Sequence, residues 1–268
     1  MLAADGSELA FATMPTASDC DRVFIWESLT HRVAQLGQKQ RCKVKSLGVS
    51  GLGVTKGRAM WLTTSSGPTL STVKLWTATT KRPTPRQLLT ANVASGDEAP
   101  IIVGKASGGL LPYAQDTAVT VLRSDGKSFN WTATDHVVGL AARGGQVAVA
   151  QDGNRVTVLD SNGNVVSVDL YTSAVNAVAL TSKGQLVQRG TTLELRRGAD
   201  AHDYTMSATG VLDDADARWA VWSDGKFVHV IRLPDGAQVG VYPGTTAALS
   251  GSTLYVANGK TIAIRTIR

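Results

Sequence analysis

A short alternating apolar run recurs seven times along the 268 residues of this chain. It reads Arg22-Val23-Phe24-Ile25-Trp26, then Thr72-Val73-Lys74-Leu75-Trp76, then Ala118-Val119-Thr120-Val121-Leu122. Further on it returns as Arg155-Val156-Thr157-Val158-Leu159, Thr192-Leu193-Glu194-Leu195-Arg196, Phe227-Val228-His229-Val230-Ile231 and Thr261-Ile262-Ala263-Ile264-Arg265. Aligned on Val23, Val73, Val119, Val156, Leu193, Val228 and Ile262, the spacings are 50, 46, 37, 37, 35 and 34 residues. Side chains alternate between the two faces of a strand, so a period of two reads as β-structure. A repeat of about forty residues is one supersecondary unit copied along the chain, and such units stack to bury faces that none buries alone.

The surroundings of each copy repeat as well. About ten residues upstream lies another strand, as in Glu8–Phe11, Ala59–Leu62, Gln146–Val149, Trp219–Trp222 and Leu254–Ala257. Downstream comes a turn and a strand of alternating polarity, such as Arg32–Leu36, Val165–Val168 and Gln238–Val241. An apolar strand separates units at Val137–Ala141 and Val175–Ala179. Asp5-Gly6, Asp125-Gly126, Asp152-Gly153, Asn162-Gly163, Asp224-Gly225, Asp235-Gly236 and Asn258-Gly259 punctuate the series with the positive-φ residues that tight hairpins require. Sustained helical periodicity is absent. Four antiparallel strands per unit predict an all-β, single-domain β-propeller of seven blades, with six as the alternative. Approximate blades are 1–38, 43–91, 92–134, 135–172, 173–208, 209–245 and 246–268. No fourth strand for the last blade is visible, so that blade is expected to be incomplete.

The repeat resembles bacterial WD-repeat-like propellers over nearly the whole chain. The third strands end in Trp26-Glu27, Trp76-Thr77 and Leu159-Asp160 in place of Trp-Asp, and the Gly-His dipeptide of eukaryotic WD repeats is missing. The His-Ser/Thr-Asp-Trp hydrogen-bond network of that family is therefore not carried over to these residues.

Charge is distributed unevenly. The formal net charge is +6, yet no Asp or Glu occurs between Ser28 and Gly96, where eleven Lys and Arg residues stand. Lys39, Arg41, Lys43 and Lys45 alternate through the connection from blade one to blade two. Lys56, Arg58, Lys81, Arg82 and Arg86 follow, with the two loop pairs expected on the opposite face. Such a flank can attract a polyanion, and its plain alternative is a solvated surface. The two cysteines, Cys20 and Cys42, show no metal-ligand spacing. The propeller topology puts both in loops on one face, so a disulfide between them is expected, with an extracellular or periplasmic location if a signal peptide has been removed and a cytoplasmic one otherwise.

Chemistry-bearing groups are scattered. His31, His136, His202 and His229 fall in different blades, His229 inside a third strand and His136 where it could approach the channel mouth. Asp213-Asp214-Ala215-Asp216 does not match a calcium loop and is expected to be a solvated turn. Ser124–Phe129 approaches the Asp-box of sialidase-type propellers but lacks its spacer residue and occurs once. Asn130-Trp131-Thr132 matches a glycosylation sequon inside a predicted strand. No catalytic set, metal site or cofactor is expected. The leading expectation is a monomeric, non-enzymatic scaffold that presents the long loops of blades one to three (Thr13–Asp21, Gly37–Lys43, Thr64–Thr72 and Ala91–Pro100) to a protein partner. Alternatives are binding of an acidic polysaccharide or other polyanion by the basic flank, and a hydrolase or lyase site at the channel mouth. Specific nucleic-acid recognition and a transmembrane helix are not expected.

Overall fold

The computed structural model describes residues 1–12, 22–37, 47–95, 97 and 100–268. Every helix or strand among them is a β-strand. Blade one holds β1 (Leu2–Asp5), β2 (Glu8–Ala12), β3 (Val23–Glu27) and β4 (Arg32–Leu36). Blade two holds β5 (Leu47–Thr55), β6 (Arg58–Ser66), β7 (Leu70–Thr79) and β8 (Arg82–Ala94). Blade three is β9 (Ile101–Val103), β10 (Leu110–Gln115), β11 (Ala118–Arg123) and β12 (Ser128–Thr132). Blade four is β13 (Val137–Arg143), β14 (Gln146–Gln151), β15 (Arg155–Asp160) and β16 (Val165–Leu170). Blade five is β17 (Ala177–Thr181), β18 (Gly184–Arg189), β19 (Thr192–Arg197) and β20 (Asp200–Thr205). Blade six is β21 (Val211–Ala215), β22 (Trp219–Ser223), β23 (Phe227–Arg232) and β24 (Gln238–Pro243). Blade seven has three strands, β25 (Thr246–Ser250), β26 (Thr253–Asn258) and β27 (Thr261–Thr266).

Each blade is an antiparallel sheet whose strands pair in chain order, so the molecule is a seven-bladed propeller with an incomplete last blade. The first strands β1, β5, β9, β13, β17, β21 and β25 form the inner ring, and β25 packs back on β1. Connections between blades and the turns between second and third strands emerge on one face, called upper here. The other turns emerge on the lower face. All seven Asp-Gly and Asn-Gly turns form as the sequence requires, with glycine φ between +58° and +91°.

Alternation gives every sheet two apolar faces, and each is buried against a neighbour. Seven hydrophobic clusters result, one per junction. Val156 and Val158 of blade four meet Val178 and Val187 of blade five, and Leu193 of blade five meets Leu212 and Trp222 of blade six. At the junction of blades seven and one the fully buried set shrinks to Leu2, Leu9, Ala248 and Tyr255, against eleven residues between blades five and six. Burial of apolar area is the main favourable term in such packing. The ring is therefore closed by its thinnest seam. Among the described residues, side chains and a hydrogen bond from Ser250 Oγ to the Gly6 carbonyl bridge it, with no exchanged strand.

Leu2–Asp5 is the innermost strand of a complete blade one, although it is too short and too rich in alanine to stand out in the sequence. Two expectations need correction. The supposed loop Thr64–Thr72 is mostly strand, because β6 and β7 extend to Ser66 and Leu70 and a tight turn from Gly67 N–H to the Leu70 carbonyl joins them. Likewise β8 continues to Ala94, taking in the start of the supposed loop Ala91–Pro100.

Candidate functional site

The inner ring surrounds a cavity of about 580 Å³ along the propeller axis. Seven strands converge there, so most inward positions carry small residues such as Ala4, Gly51, Gly104, Ala142 and Ala248. Against this lining stands a buried polar cluster. Lys105 follows β9, and its Nζ lies 2.7 Å from Asp214 Oδ1 on β21. Asp214 Oδ2 also accepts the Leu249 N–H of β25 at 2.9 Å. Its neighbour Asp213 accepts Thr246 Oγ1–H at 3.2 Å through Oδ1, while its Oδ2 is buried without a partner.

A β-bulge brings two successive carboxylates to the cavity. On β21 the register runs Leu212↔Trp222 and then Asp214↔Val221, leaving Asp213 as the extra residue. A bulge breaks strict alternation and re-aims a side chain. The expectation that Asp213–Asp216 forms a solvated turn is thus overturned. Asp213 and Asp214 belong to the innermost strand, and Asp216 is buried, accepting the N–H groups of Arg218 and Trp219. Spacing held the signal: Val137 precedes Val156 by 19 residues, and Val211 precedes Val228 by 17.

Burial dominates the electrostatics of this cluster. It pushes the Asp213 carboxyl up to about 6, against the opposing pull of nearby Ser223, of the Lys105 charge and of the Thr246 hydrogen bond. Burial likewise pushes the Lys105 ammonium down, and Asp214 draws it back. The cavity therefore holds a carboxyl pushed up to about 6 beside the Lys105–Asp214 pair.

On the lower rim, Asp5 ties three blades together. It accepts hydrogen bonds from Thr55 Oγ1 of blade two, Ser107 Oγ at 3.0 Å and Gly108 N–H at 3.1 Å. The same rim collects part of the basic flank. Lys56 and Arg58 lie at the turn between β5 and β6, Lys81 and Arg82 at the turn between β7 and β8, and Arg86 stands on β8 opposite Thr77. Burial and the nearby Arg86 charge push the Arg58 guanidinium down, while Asp125 acts the other way. Lys39, Arg41, Lys43 and Lys45 lie outside the described residues, as do Cys20 and Cys42.

Comparison with known proteins yields fold without family. No family model and no curated protein matches the sequence. Among solved structures, Raptor of Chaetomium thermophilum superposes with a TM-score of 0.61 at 14% identity, covering 98% of this chain and 27% of that one. Sqt1 of Saccharomyces cerevisiae gives 0.55 at 12% identity, with 96% and 80% covered. BamB of Moraxella catarrhalis gives 0.51 at 12% identity, with 99% and 84% covered. The chain folds as a WD-repeat-like propeller. It spans about a quarter of the Raptor chain it matches.

Blade six also gathers a His-Asp-Ser group against a tryptophan, which the motifs of the chain did not predict. In blade six His229 is buried flat against Trp222, with ring centroids 5.1 Å apart. His229 Nε2 lies 3.0 Å from Asp224 Oδ2, and Nδ1 lies 3.4 Å from Ser207 Oγ. The hydrogen bond to His229 holds the Asp224 carboxyl down at about 2. The four residue types are those of the WD-repeat network, but here Trp lies on the second strand and His on the third, and the buried Trp222 Nε1 has no hydrogen-bond partner among the described residues. These residues lie outside the lining of the axial cavity, and the group clasps the blade-five connection to blade six. His136 pairs with Asp116 at 2.9 Å on the exposed upper face and does not line the channel. Among the described residues no cluster of three metal-ligating side chains occurs.

Proposed function

We propose that this propeller is a non-enzymatic interaction module that presents its surfaces to a protein partner. The observation that carries this reading is the outer strand of blade four. Val165, Val166, Val168 and Leu170 on β16 are each 50–58% exposed along one unpaired sheet edge. The register shift between Val158 and Leu159 gives β16 an extra residue between Val165 and Ser167, and Val165 and Val166 are both exposed. Natural sheet edges are normally blunted with charges, proline or a covering segment, and clustered exposed aliphatic side chains mark a binding surface. Blade two shows the blunted form, with Pro83, Pro85, Arg82 and Arg86 on β8.

A photo-cross-linker placed at position 166 in the cells of origin tests this reading. A discrete heteromeric adduct is expected, lost on Val168→Asp and absent from a probe at exposed Lys226. Absence of any adduct at 166 refutes it.

A second reading draws on the lower rim of blade two, where Lys56, Arg58, Lys81, Arg82 and Arg86 gather in a stretch of sequence without carboxylates. It expects a sulfated polysaccharide to bind with affinity that falls steeply with salt, and Lys81→Glu/Arg82→Glu to weaken that binding. Salt-independent binding refutes it. With Cys20 joined to Cys42 the module would belong in an oxidising compartment, and a two-dalton loss of mass without reductant would report that bond.

A further inference from the structure

Among the described residues blade seven has three strands, and a defined slot lies beside the outer edge of β27. The third strands of the ring provide an internal standard. Ile264 aligns with Ile25, Leu75, Val121, Val158 and Val230, which are 0–6% exposed, and with the half-buried Leu195, yet Ile264 is 50% exposed. In complete blades a fourth strand covers this position. Here nothing among the described residues does.

The backbone of β27 is prepared for such a strand. Ile267 N–H donates to the Ser252 carbonyl at 2.8 Å, and the register pairs Thr253 with Thr266. In an antiparallel ladder, bonding residues alternate with residues that turn their N–H and C=O the other way. Thr261, Ala263 and Arg265 therefore bond to β26, while Ile262, Ile264 and Thr266 aim both groups into the open slot.

The slot has apolar walls and a positive margin. On the blade-one side, Val33 of β4 lies opposite Trp26, which packs towards Tyr255 of blade seven, so Val33 points the same way and is 58% exposed. Gln35 shares that face, and its buried Nε2 finds no acceptor among the described residues. On the other side stand Val239 and Tyr242 of β24 with Ala263. The bordering strands β4, β24 and β27 contain Arg32 and Arg265 but no carboxylate, Lys260 and Arg268 flank β27, and the nearby acid Glu27 of β3 stands opposite Arg32.

We propose that the open edge of blade seven captures an extended segment of a protein partner as an antiparallel fourth strand, one with apolar residues at its centre and acidic residues at its ends. Backbone pairing to a sheet edge supplies affinity in this mode, and side-chain pockets supply selectivity. Charge complementarity selects an acidic segment over a second copy of the chain, since pairing β27 with itself would bring two sets of these cations together. The inference goes beyond the blade-four surface, so either can fail alone.

The test uses the whole chain and blocked eight-residue peptides with a valine core and glutamate ends. Fluorescence anisotropy should show binding at least tenfold weaker when lysine replaces glutamate, and again when alternate backbone amides are N-methylated. At saturation, hydrogen exchange should slow at Ile262, Ile264 and Thr266 and stay unchanged on β16. Ile264→Pro removes an N–H that β26 does not use, so the fold should persist while binding falls at least tenfold. Ile264→Lys, which keeps that N–H and puts a cation at the slot, is a second variant should the proline disturb the fold, and it should weaken the valine core's docking. Equal binding of lysine-ended peptides, protection elsewhere, or self-association through β27 in sedimentation would overturn the proposal.

Discussion

Asp213→Asn should stabilise the propeller at neutral pH and lose that advantage in acid. Burial holds this carboxyl at about 6, against an ordinary value of 3.8. The folded protein thus binds the proton more tightly than the unfolded chain. That stabilisation is complete below pH 3.8 and is lost as the pH rises through about 6. A difference of about two pKa units corresponds to roughly 3 kcal/mol, the upper bound on what ionising Asp213 costs at pH 7.5. Asparagine copies the neutral acid and can keep the acceptor for Thr246, but its new N–H groups enter a site where Oδ2 has no partner. The expected gain is therefore about 1–3 kcal/mol, or roughly 2–8 °C in Tm for a chain of this size. Thermal and urea unfolding of both proteins from pH 4 to pH 8 reads it directly. A lower Tm for Asp213→Asn at pH 7.5, or an equal gain at pH 4, would refute the reasoning.

Three further outcomes follow from the packing. Leu9→Ala removes a buried side chain at the thin seam and should cost about 2–3 kcal/mol. Leu186→Ala, in the larger junction between blades five and six, should cost more, about 3–5 kcal/mol by urea unfolding, and the reverse order would refute the seam's weakness. Gln151, fully buried, accepts from Thr134 N–H, Thr134 Oγ1–H and Asp135 N–H and donates to Thr157. Gln151→Leu should cost about 2 kcal/mol by the same assay, and a neutral result would show that water replaces it. At Gly184 φ is +147° and an added Cβ would sit 2.1 Å from the Arg196 carbonyl oxygen. Gly184→Ala should lower stability by about 2–4 kcal/mol, and a Tm unchanged within a degree would contradict that clash.

The seven third strands and the Asp-Gly and Asn-Gly turns were legible because period and turn chemistry are local properties. Runs such as Val156–Leu159 must be apolar on both faces once blades stack, and that pattern survives in one dimension. Leu2–Asp5 was not legible, since an inner strand facing a narrow channel uses small residues and loses the apolar signature. Asp213 and Asp214 misled for a related reason. Acidic residues in sequence look solvated, and only the bulge on β21 turns them towards the channel. His229, Asp224, Ser207 and Trp222 form one cluster from three separate stretches of chain, a three-dimensional relation with no fixed spacing to read. The slot at blade seven was half legible: the absent strand could be counted, but the exposure of Ile264 and the direction of its N–H required the register.

The chain path carries one more consequence. Every blade is a contiguous segment, and β27 ends on the lower face while β1 begins at the channel from the upper one. A linker from Arg268 to Met1 would have to climb the outer rim and cross inward, the route that fourth strands and their connections take in the other blades. A strand-forming linker of roughly a dozen residues, at about 3.3 Å per residue, spans that path. Opening the chain instead at the connection 171–176 would yield a circular permutant in which blades one to four and six and seven, with blade five, are all four-stranded. In such a molecule the position of the ends, and no longer the order of the blades, would decide which junction opens first.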